Sequence, residues 1–141
     1  MGQGLEKHDI ALQQLRRAIQ LYRQRDYVCA TTLAGAAEEI FGKIAIKRKG
    51  LNALEDELNF VSECADLIGG QPRPRKILIS NRNRTRNQLK HADSGENEYV
   101  TANFRLASAE LIDRALDNYQ IAYDEDPNDR IIRKYISDFH D

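Results

Sequence analysis

Apolar side chains recur every three or four positions along most of this chain, the spacing of an amphipathic α-helix. No segment alternates apolar and polar residues as a half-buried strand does. The spacing predicts helices over about 6–25, 27–47, 52–68, 75–91, 103–123 and 127–139. We therefore expect an all-α fold, an antiparallel bundle of five to six helices with short connections. At 141 residues the chain fits a single domain, with a core of about 6–123 and a short C-terminal helix of about 127–139.

Local signals predict where several of these helices begin and end. Asp26 is suited to cap the second helix, and Gly50, which follows three basic residues, is suited to end it. Pro74 fits the first turn of the fourth helix, because a residue there needs no N–H partner. For the last helix, Asp126 is expected to cap and Pro127 to begin the helix.

The centre of the second predicted helix is built from small residues, Ala34-Gly-Ala-Ala37. Small side chains let a neighbouring backbone approach closely, so we expect this helix to be central and tightly packed. Glu38 and Glu39 follow directly. Two interpretations remain open for them: an acid that pairs with a basic helix alongside, or two glutamates in solvent.

Periodicity also predicts which side chains face the core. In the first helix the inner residues are expected to be Leu12, Leu15, Ile19 and Tyr22. In the helix over 103–123 they are expected to be Leu106, Ala109, Ile112, Ala115 or Leu116, and Tyr119.

Positive charge is concentrated in one stretch of an otherwise balanced chain. The net charge is −1, so bulk electrostatics does not indicate a nucleic-acid-binding protein. No acid lies between Asp66 and Asp93. That interval contains Arg73, Arg75, Lys76, Arg82, Arg84, Arg86, Lys90 and His91. A concentrated basic face attracts phosphates, so this stretch is the predicted functional surface.

The helical wheel predicts how the fourth helix presents these groups. Its narrow inner face is expected to consist of Leu78, Thr85 and Leu89. Roughly opposite lie Asn83, Arg86, Asn87, Lys90 and His91. Arg86 and His91 are separated by roughly 140° on a regular helix, so one copy cannot easily bring both to one phosphate. Two copies related by a two-fold axis can place both pairs around one groove. Asn87 lies one turn before His91 and is placed to orient its imidazole.

Several other classes of site are not indicated. Cys29 and Cys64 lack CxxC spacing and are expected to be buried, reduced thiols. No group of residues has metal-ligand spacing, and no Gly-rich phosphate loop occurs, so we expect neither a metal nor a cofactor. Residues 1–9 lack the apolar run of a signal peptide, and no stretch approaches about 18 apolar residues. A cytoplasmic protein with no membrane association is the expectation.

The segment Arg86-Asn87-Gln-Leu-Lys-His91 resembles the R-x4-6-H motif of HEPN domains, including the polar residue after the arginine. Residues 33–40 and 112–115 are also similar to helices of small prokaryotic HEPN proteins. The resemblance implies a homodimer with a composite site and, in many members, a metal-independent endoribonuclease. It assigns Arg86 and His91 as the catalytic pair and Asn87 as the supporting residue. The chain lacks the tyrosine cluster that some nucleotidyltransferase-regulated toxins carry just after the histidine.

The residue chemistry is compatible with this activity, because RNA carries its own nucleophile in the 2′-OH. His91 is suited to acid–base catalysis, and the planar guanidinium of Arg86 to holding a phosphate. The expected contacts to the RNA backbone are Arg73, Arg75, Arg82, Arg84 and Lys90. Three alternatives remain open: a noncatalytic HEPN-type module that binds nucleotide or RNA, a protein-interaction module with an antitoxin or nucleotidyltransferase partner, and a solvated basic helix.

Overall fold

The structure, a computed structural model, describes residues 2–70, 74–90 and 99–140, with Phe139 and His140 described by their backbone alone. These residues form six helices and no strand. The helices are α1 (Lys7–Arg23), α2 (Tyr27–Lys49), α3 (Ala53–Leu67), α4 (Arg75–Lys90), α5 (Phe104–Tyr123) and α6 (Arg130–His140). The predicted all-α class is confirmed. Among the described residues, no helix is both long enough and apolar enough to cross a membrane.

Most of the predicted helix ends are found. The Asp26 side chain accepts from the backbone N–H of Cys29 at 3.2 Å, and Gly50 ends α2 in the left-handed conformation with φ 74°. The predicted start of the last helix is wrong. Pro127 is buried in the connection before α6, and Asp129 accepts from the N–H groups of Ile131 and Ile132. Asp129, three residues after Asp126, therefore caps this helix.

The core lies where α1, α2 and α5 meet, with α6 covering one side. Leu15, Ile19, Phe41 and Ile112 are fully buried there, and Ile132 joins them from α6. The small residues of α2 permit this packing, because Ala34 and Ala37 have no exposed surface between the flanking helices. The prediction that α2 is central is therefore confirmed.

The helices are not all antiparallel to their neighbours. Ring contacts join Tyr22 to Tyr27 and His8 to Phe41, so α1 and α2 run in opposite directions. By contrast, α2 and α5 run in the same direction. Along them, contacts pair Gly35 with Leu111, Gly42 with Asn118 and Lys49 with Asp124. The predicted antiparallel order fails for this pair because α3 and α4 intervene in the chain and return it to the start of α2.

Three polar contacts attach α6 to the body of the bundle. Arg16 Nε lies 2.6 Å from Asp129 Oδ2, and Arg23 Nη2 lies 2.9 Å from Asp138 Oδ2. The Tyr135 hydroxyl donates to Asp113 at 3.1 Å. Burial raises the pKa of Tyr135 well above its ordinary value, and neighbouring Asp113 adds to the shift. The hydroxyl therefore remains a hydrogen-bond donor at neutral pH.

Two expectations about burial are wrong. Cys29 and Cys64 are both exposed, because each lies on the solvent side of its helix. Leu106 is 54% exposed, because the first turn of α5 extends beyond the packed part of the core. In α1, Leu15 and Ile19 are buried as predicted, whereas Leu12 and Tyr22 pack only partly against the core.

Candidate nucleic-acid interface

Helix α4 carries the predicted functional residues and packs against α2, α3 and α5. Its attachment is unusual, because the only buried residue described on it is Asn83, a polar one. Leu78, Thr85 and Leu89 are partly buried. Charged and polar contacts therefore hold α4 together with a partly buried apolar face.

The strongest of these contacts joins Arg86 to Glu38 of α2. Arg86 Nη1 donates to Glu38 Oε2 at 2.8 Å. The Glu38 side chain is 6% exposed and that of Arg86 17%. Gly35, one turn before Glu38, provides the space for the arginine stem, since a Cβ there would lie 2.5 Å from Arg86 Cδ. Of the two interpretations left open for the α2 acids, pairing with a basic helix is the one found for Glu38.

Glu38 also lies next to a second arginine, Arg114 of α5. The Arg114 Nε is 3.4 Å from Glu38 Oε1, and the arginine side chain is 11% exposed. Arg114 Nη2 donates to Asn83 Oδ1 of α4 at 2.8 Å. One buried carboxylate therefore faces two guanidinium groups from two different helices, and α4 is linked to α2 and α5 by the same cluster.

Asn118 extends the polar cluster toward α3. Its Nδ2 donates to the backbone oxygen of Glu38 at 3.1 Å, and its Oδ1 accepts from the N–H of Ala53 at 2.7 Å. The side chain is fully buried, so both of its polar ends are matched as burial requires. This residue fixes the start of α3 against the α2–α5 pair.

The predicted outer face of α4 is partly wrong. The helical wheel predicts Asn83 and Arg86 on the solvent side, but both turn toward the bundle. The polar partners on α2 and α5 determine this orientation: Glu38 for Arg86 and Arg114 for Asn83. A helical wheel that considers only apolar residues cannot predict an inward orientation that depends on a buried carboxylate of another helix. Asn87 is exposed, as predicted.

Neighbouring acids compensate part of the positive charge of α4. Arg75 pairs with Glu55 of α3, and Arg82 Nη2 lies 2.8 Å from Glu57 Oε1. Lys90 Nζ is 3.9 Å from Glu39 Oε2. Within the described ranges, Lys76 and Arg84 are the α4 cations with no carboxylate inside 4 Å. The interval that lacks acids in sequence is thus supplied with acids by α2 and α3 in space.

Two predicted site residues lie outside the described residues. His91 follows α4 directly, and Arg73 precedes it by two positions, and neither is described. The predicted neighbourhood of Arg86, Asn87 and His91 is therefore described only for the first two. Glu38 and Arg114 were not predicted as site residues. The available signal for Glu38 was its position beside the small residues of a central helix.

The arrangement gives Arg86 the properties of a preorganised anion-binding group. A guanidinium has five N–H donors, and Glu38 accepts from one of them. Because the side chain is anchored yet partly exposed, it can present its remaining donors without first losing rotamer freedom. In the described part of the chain, no group of three or more His, Cys, Asp or Glu side chains is placed to hold a metal ion.

No protein-family model, no curated protein and no solved structure matches this chain. The resemblance to HEPN domains therefore rests on the motif from Arg86 to His91 and the helical segments similar to those of the family, and it remains a prediction.

Proposed function

We propose that this protein is a metal-independent endoribonuclease of the HEPN type that acts as a homodimer. Arg86 and His91 form the reacting pair, and Asn87 supports the histidine. The observation that carries the proposal is the anchoring of Arg86: Glu38 holds its guanidinium at 2.8 Å while 17% of the side chain stays exposed on the basic helix. A phosphate-binding arginine needs both fixed geometry and access to substrate.

The proposed reaction uses a nucleophile that the RNA supplies. His91 removes the proton from a ribose 2′-OH, the 2′ oxygen attacks the adjacent phosphorus, and the bond to the 5′ oxygen breaks. The leaving oxygen takes up a proton, which gives a 2′,3′-cyclic phosphate and a 5′-OH end. Arg86 stabilises the negative charge that develops on the phosphate oxygens. Two copies supply the pairs, since the two groups lie five positions apart in the sequence and a regular helix would point them in different directions.

Binding of the RNA backbone falls mainly to exposed cations of α4. Arg84 has no acidic partner in the described ranges, and Lys90 is 60% exposed with its nearest carboxylate at 3.9 Å. Arg75 and Arg82 must exchange a glutamate for a phosphate, so their contribution is smaller. Arg73 completes the proposed set.

The test is cleavage of mixed single-stranded RNAs by purified protein in the presence of a chelator, with detection of 2′,3′-cyclic phosphate ends. We expect His91→Ala to lower the rate by about 10²- to 10⁴-fold. Arg86→Lys keeps the charge but loses the planar fork, and the same readout is expected to fall sharply. Asn87→Ala is expected to lower the rate because Asn87 supports the histidine. Asn81→Ala is the matched control, since both asparagines are exposed on α4. Wild-type cleavage by His91→Ala would exclude the mechanism.

A noncatalytic module that binds nucleotide, RNA or a protein is the second candidate, and the ion pairs of α4 favour it. Arg75, Arg82 and Arg86 each already have a glutamate partner, as expected of a helix whose arginines hold the fold. This candidate predicts RNA binding without cyclic phosphate products, or no RNA binding and a stable complex with an antitoxin or nucleotidyltransferase.

A further inference from the structure

A groove between α1 and α2, of about 580 Å³, has an apolar floor and a basic rim. Ile10, Ile40 and Ile44 contribute the floor. The rim carries three lysines, Lys7, Lys43 and Lys47, against a single acid, Glu39. The α2 side of the groove, from Ala36 to Lys47, is about 17 Å long, which is three helical turns. These dimensions suit one amphipathic helix, and the lysines favour an acidic one.

Helix α3 of the same chain has a matching solvent face. Asp56, Phe60, Glu63 and Leu67 follow one another at spacings of four, three and four residues, so they form one stripe. Phe60 is 65% exposed and Leu67 is 86% exposed, values that are high for large apolar side chains. Acids and apolar groups alternate along this stripe.

The surroundings of the α3 stripe strengthen its negative character. Asp56, Phe60 and Glu63 line a groove of about 700 Å³ between α3 and α5. The lining of this groove contains four acids, Asp56, Glu57, Glu63 and Asp117, and one cation, Arg114. These two grooves are thus opposite in charge, and each offers apolar contact.

We infer that the chain binds a second copy of itself through these two surfaces: the α3 stripe of one copy occupies the lysine-rimmed groove of the other. Burial of Phe60 and Leu67 against the isoleucine floor supplies the apolar contact. Asp56 and Glu63 meet Lys43 and Lys47 at the rim. Because the two surfaces differ, one contact leaves a second groove and a second stripe unused, and the pair closes as a two-fold dimer when both copies engage reciprocally.

The inferred contact also bears on the proposed active site, although it does not depend on RNA cleavage. Glu39 lies 3.5 Å from Lys43 at the groove and 3.9 Å from Lys90 at the end of α4. A docked helix therefore lies beside the C-terminal end of the basic helix. Since Arg82 links α4 to Glu57 of α3, the docked α3 brings its own basic helix toward that of the other copy.

The experiment uses two charge-reversed full-length proteins. One carries Lys43→Glu with Lys47→Glu in the groove, and the other carries Asp56→Lys with Glu63→Lys on α3. All four positions are exposed, so both proteins are expected to keep the wild-type far-UV circular dichroism spectrum. Light scattering after size exclusion, over a range of concentrations without RNA, is the readout. Wild type is expected to exceed 16.1 kDa as concentration rises, and each variant to weaken association about tenfold or more.

Mixing the two variants makes the test specific. Each retains one native surface, so an equimolar mixture is expected to form a complex of twice 16.1 kDa at a concentration where each variant alone is monomeric. Arg130→Glu, an exposed charge reversal on α6, is expected to associate as wild type does. A monomeric wild type, or a mixture that stays monomeric, would overturn the inference. Undiminished association of the groove variant would also overturn it and would leave the proposed ribonuclease dimer to form through another surface.

Discussion

The stem of Arg86 occupies the space above Gly35: a Cβ added at Gly35 would lie 2.5 Å from Arg86 Cδ and 2.7 Å from Cγ. Gly35 lies within a regular helix, where alanine would otherwise be favoured. The stem of Arg86 on α4 therefore accounts for the glycine at this position.

The effect of Gly35→Ala on the free energy of unfolding is expected to change sign with the residue at position 86. In wild type the new methyl group displaces the Arg86 stem from Glu38, and we expect a net destabilisation of about 1 to 2 kcal/mol. In an Arg86→Ala background the steric conflict is absent, so the helix propensity of alanine should stabilise the protein by roughly 1 kcal/mol. Urea unfolding of wild type, the two single variants and the double variant measures the two free-energy changes. Equal effects of Gly35→Ala in both backgrounds would contradict the packing described.

Glu38→Gln is expected to destabilise the fold far more than Glu39→Gln. Loss of the Glu38 charge leaves Arg86 and Arg114 without their buried partner, at a cost of about 3 kcal/mol, the low end for a buried pair because both arginines keep some solvent contact. Glu39 is 42% exposed, so its loss should cost under about 1 kcal/mol. Denaturant midpoints of the two variants compare them directly, and similar midpoints would argue against the cluster.

If α4 binds RNA, Arg84→Ala should weaken binding more than Arg82→Ala. Arg84 meets no carboxylate within 4 Å in the described ranges, whereas Arg82 already pairs with Glu57 at 2.8 Å. A freely available cation contributes about one unit to the slope of log K against log salt, so Arg84→Ala should reduce that slope by about one. Fluorescence anisotropy with single-stranded RNA at several salt concentrations gives both quantities. The opposite ranking would place the RNA near α3.

Asp129 should make the attachment of α6 dependent on pH. Burial raises its pKa, but hydrogen bonds from the Ile132 N–H, from Arg16 and from the Ile131 N–H outweigh burial and hold the pKa below the usual 3.8. A lowered pKa means that the stabilisation is present above the unfolded-state value and is lost as pH falls through the folded-state value.

The matched variant is Asp129→Asn, because asparagine still caps the helix but lacks the charge that pairs with Arg16. The difference in unfolding free energy between wild type and this variant should be largest above the unfolded-state pKa and shrink as pH falls through the folded-state pKa, which lies below 3.8. Urea titrations from pH 7 to pH 2 test this. A difference that stays constant with pH would exclude the ion pair as its source.

Cys29 and Cys64 should both react with a thiol reagent in the native protein, because both are exposed. The hydrogen bond to Asp26, with its nearby negative charge, raises the pKa of Cys29, so less reactive thiolate is present at neutral pH. In a Cys64→Ser background, Asp26→Asn retains the cap and should accelerate labelling of Cys29 at pH 7.5. An unchanged rate would show that Asp26 does not influence the thiol.

The sequence was sufficient for the helices but not for how α4 faces the bundle. Apolar periodicity predicted all six helices, because burial of one stripe determines a helix regardless of its partners. It placed Arg86 and Asn83 outward, because their inward orientation depends on Glu38 and Arg114, which are distant in sequence. It also predicted both cysteines to be buried, because a hydropathy pattern cannot distinguish a small thiol at the edge of an apolar face from one at its centre.

The parallel packing of α2 and α5 was likewise not predictable from periodicity. It follows from the route of the chain through α3 and α4, and contacts such as that of Asn118 with Glu38 and Ala53 determine that route. A buried amide thus contributes to a topological relationship that the apolar pattern leaves undetermined. The candidate site shows the same limit. Its exposed residues, such as Arg84 and Asn87, were predictable from the sequence, and its buried acid, Glu38, was not.

Ion pairs to Glu38, Glu55 and Glu57 hold α4, and its one buried residue is Asn83. The exposed pairs to Glu55 and Glu57 weaken as ionic strength rises, whereas the buried pair to Glu38 and the apolar contacts of α1, α2 and α5 are affected much less. The basic helix is consequently the segment whose backbone amides should exchange with deuterium first in concentrated salt, while the three-helix centre stays protected. Occupancy of its arginines by a polyanion would compete with the same glutamates, so ligand binding and partial release of the helix are thermodynamically coupled.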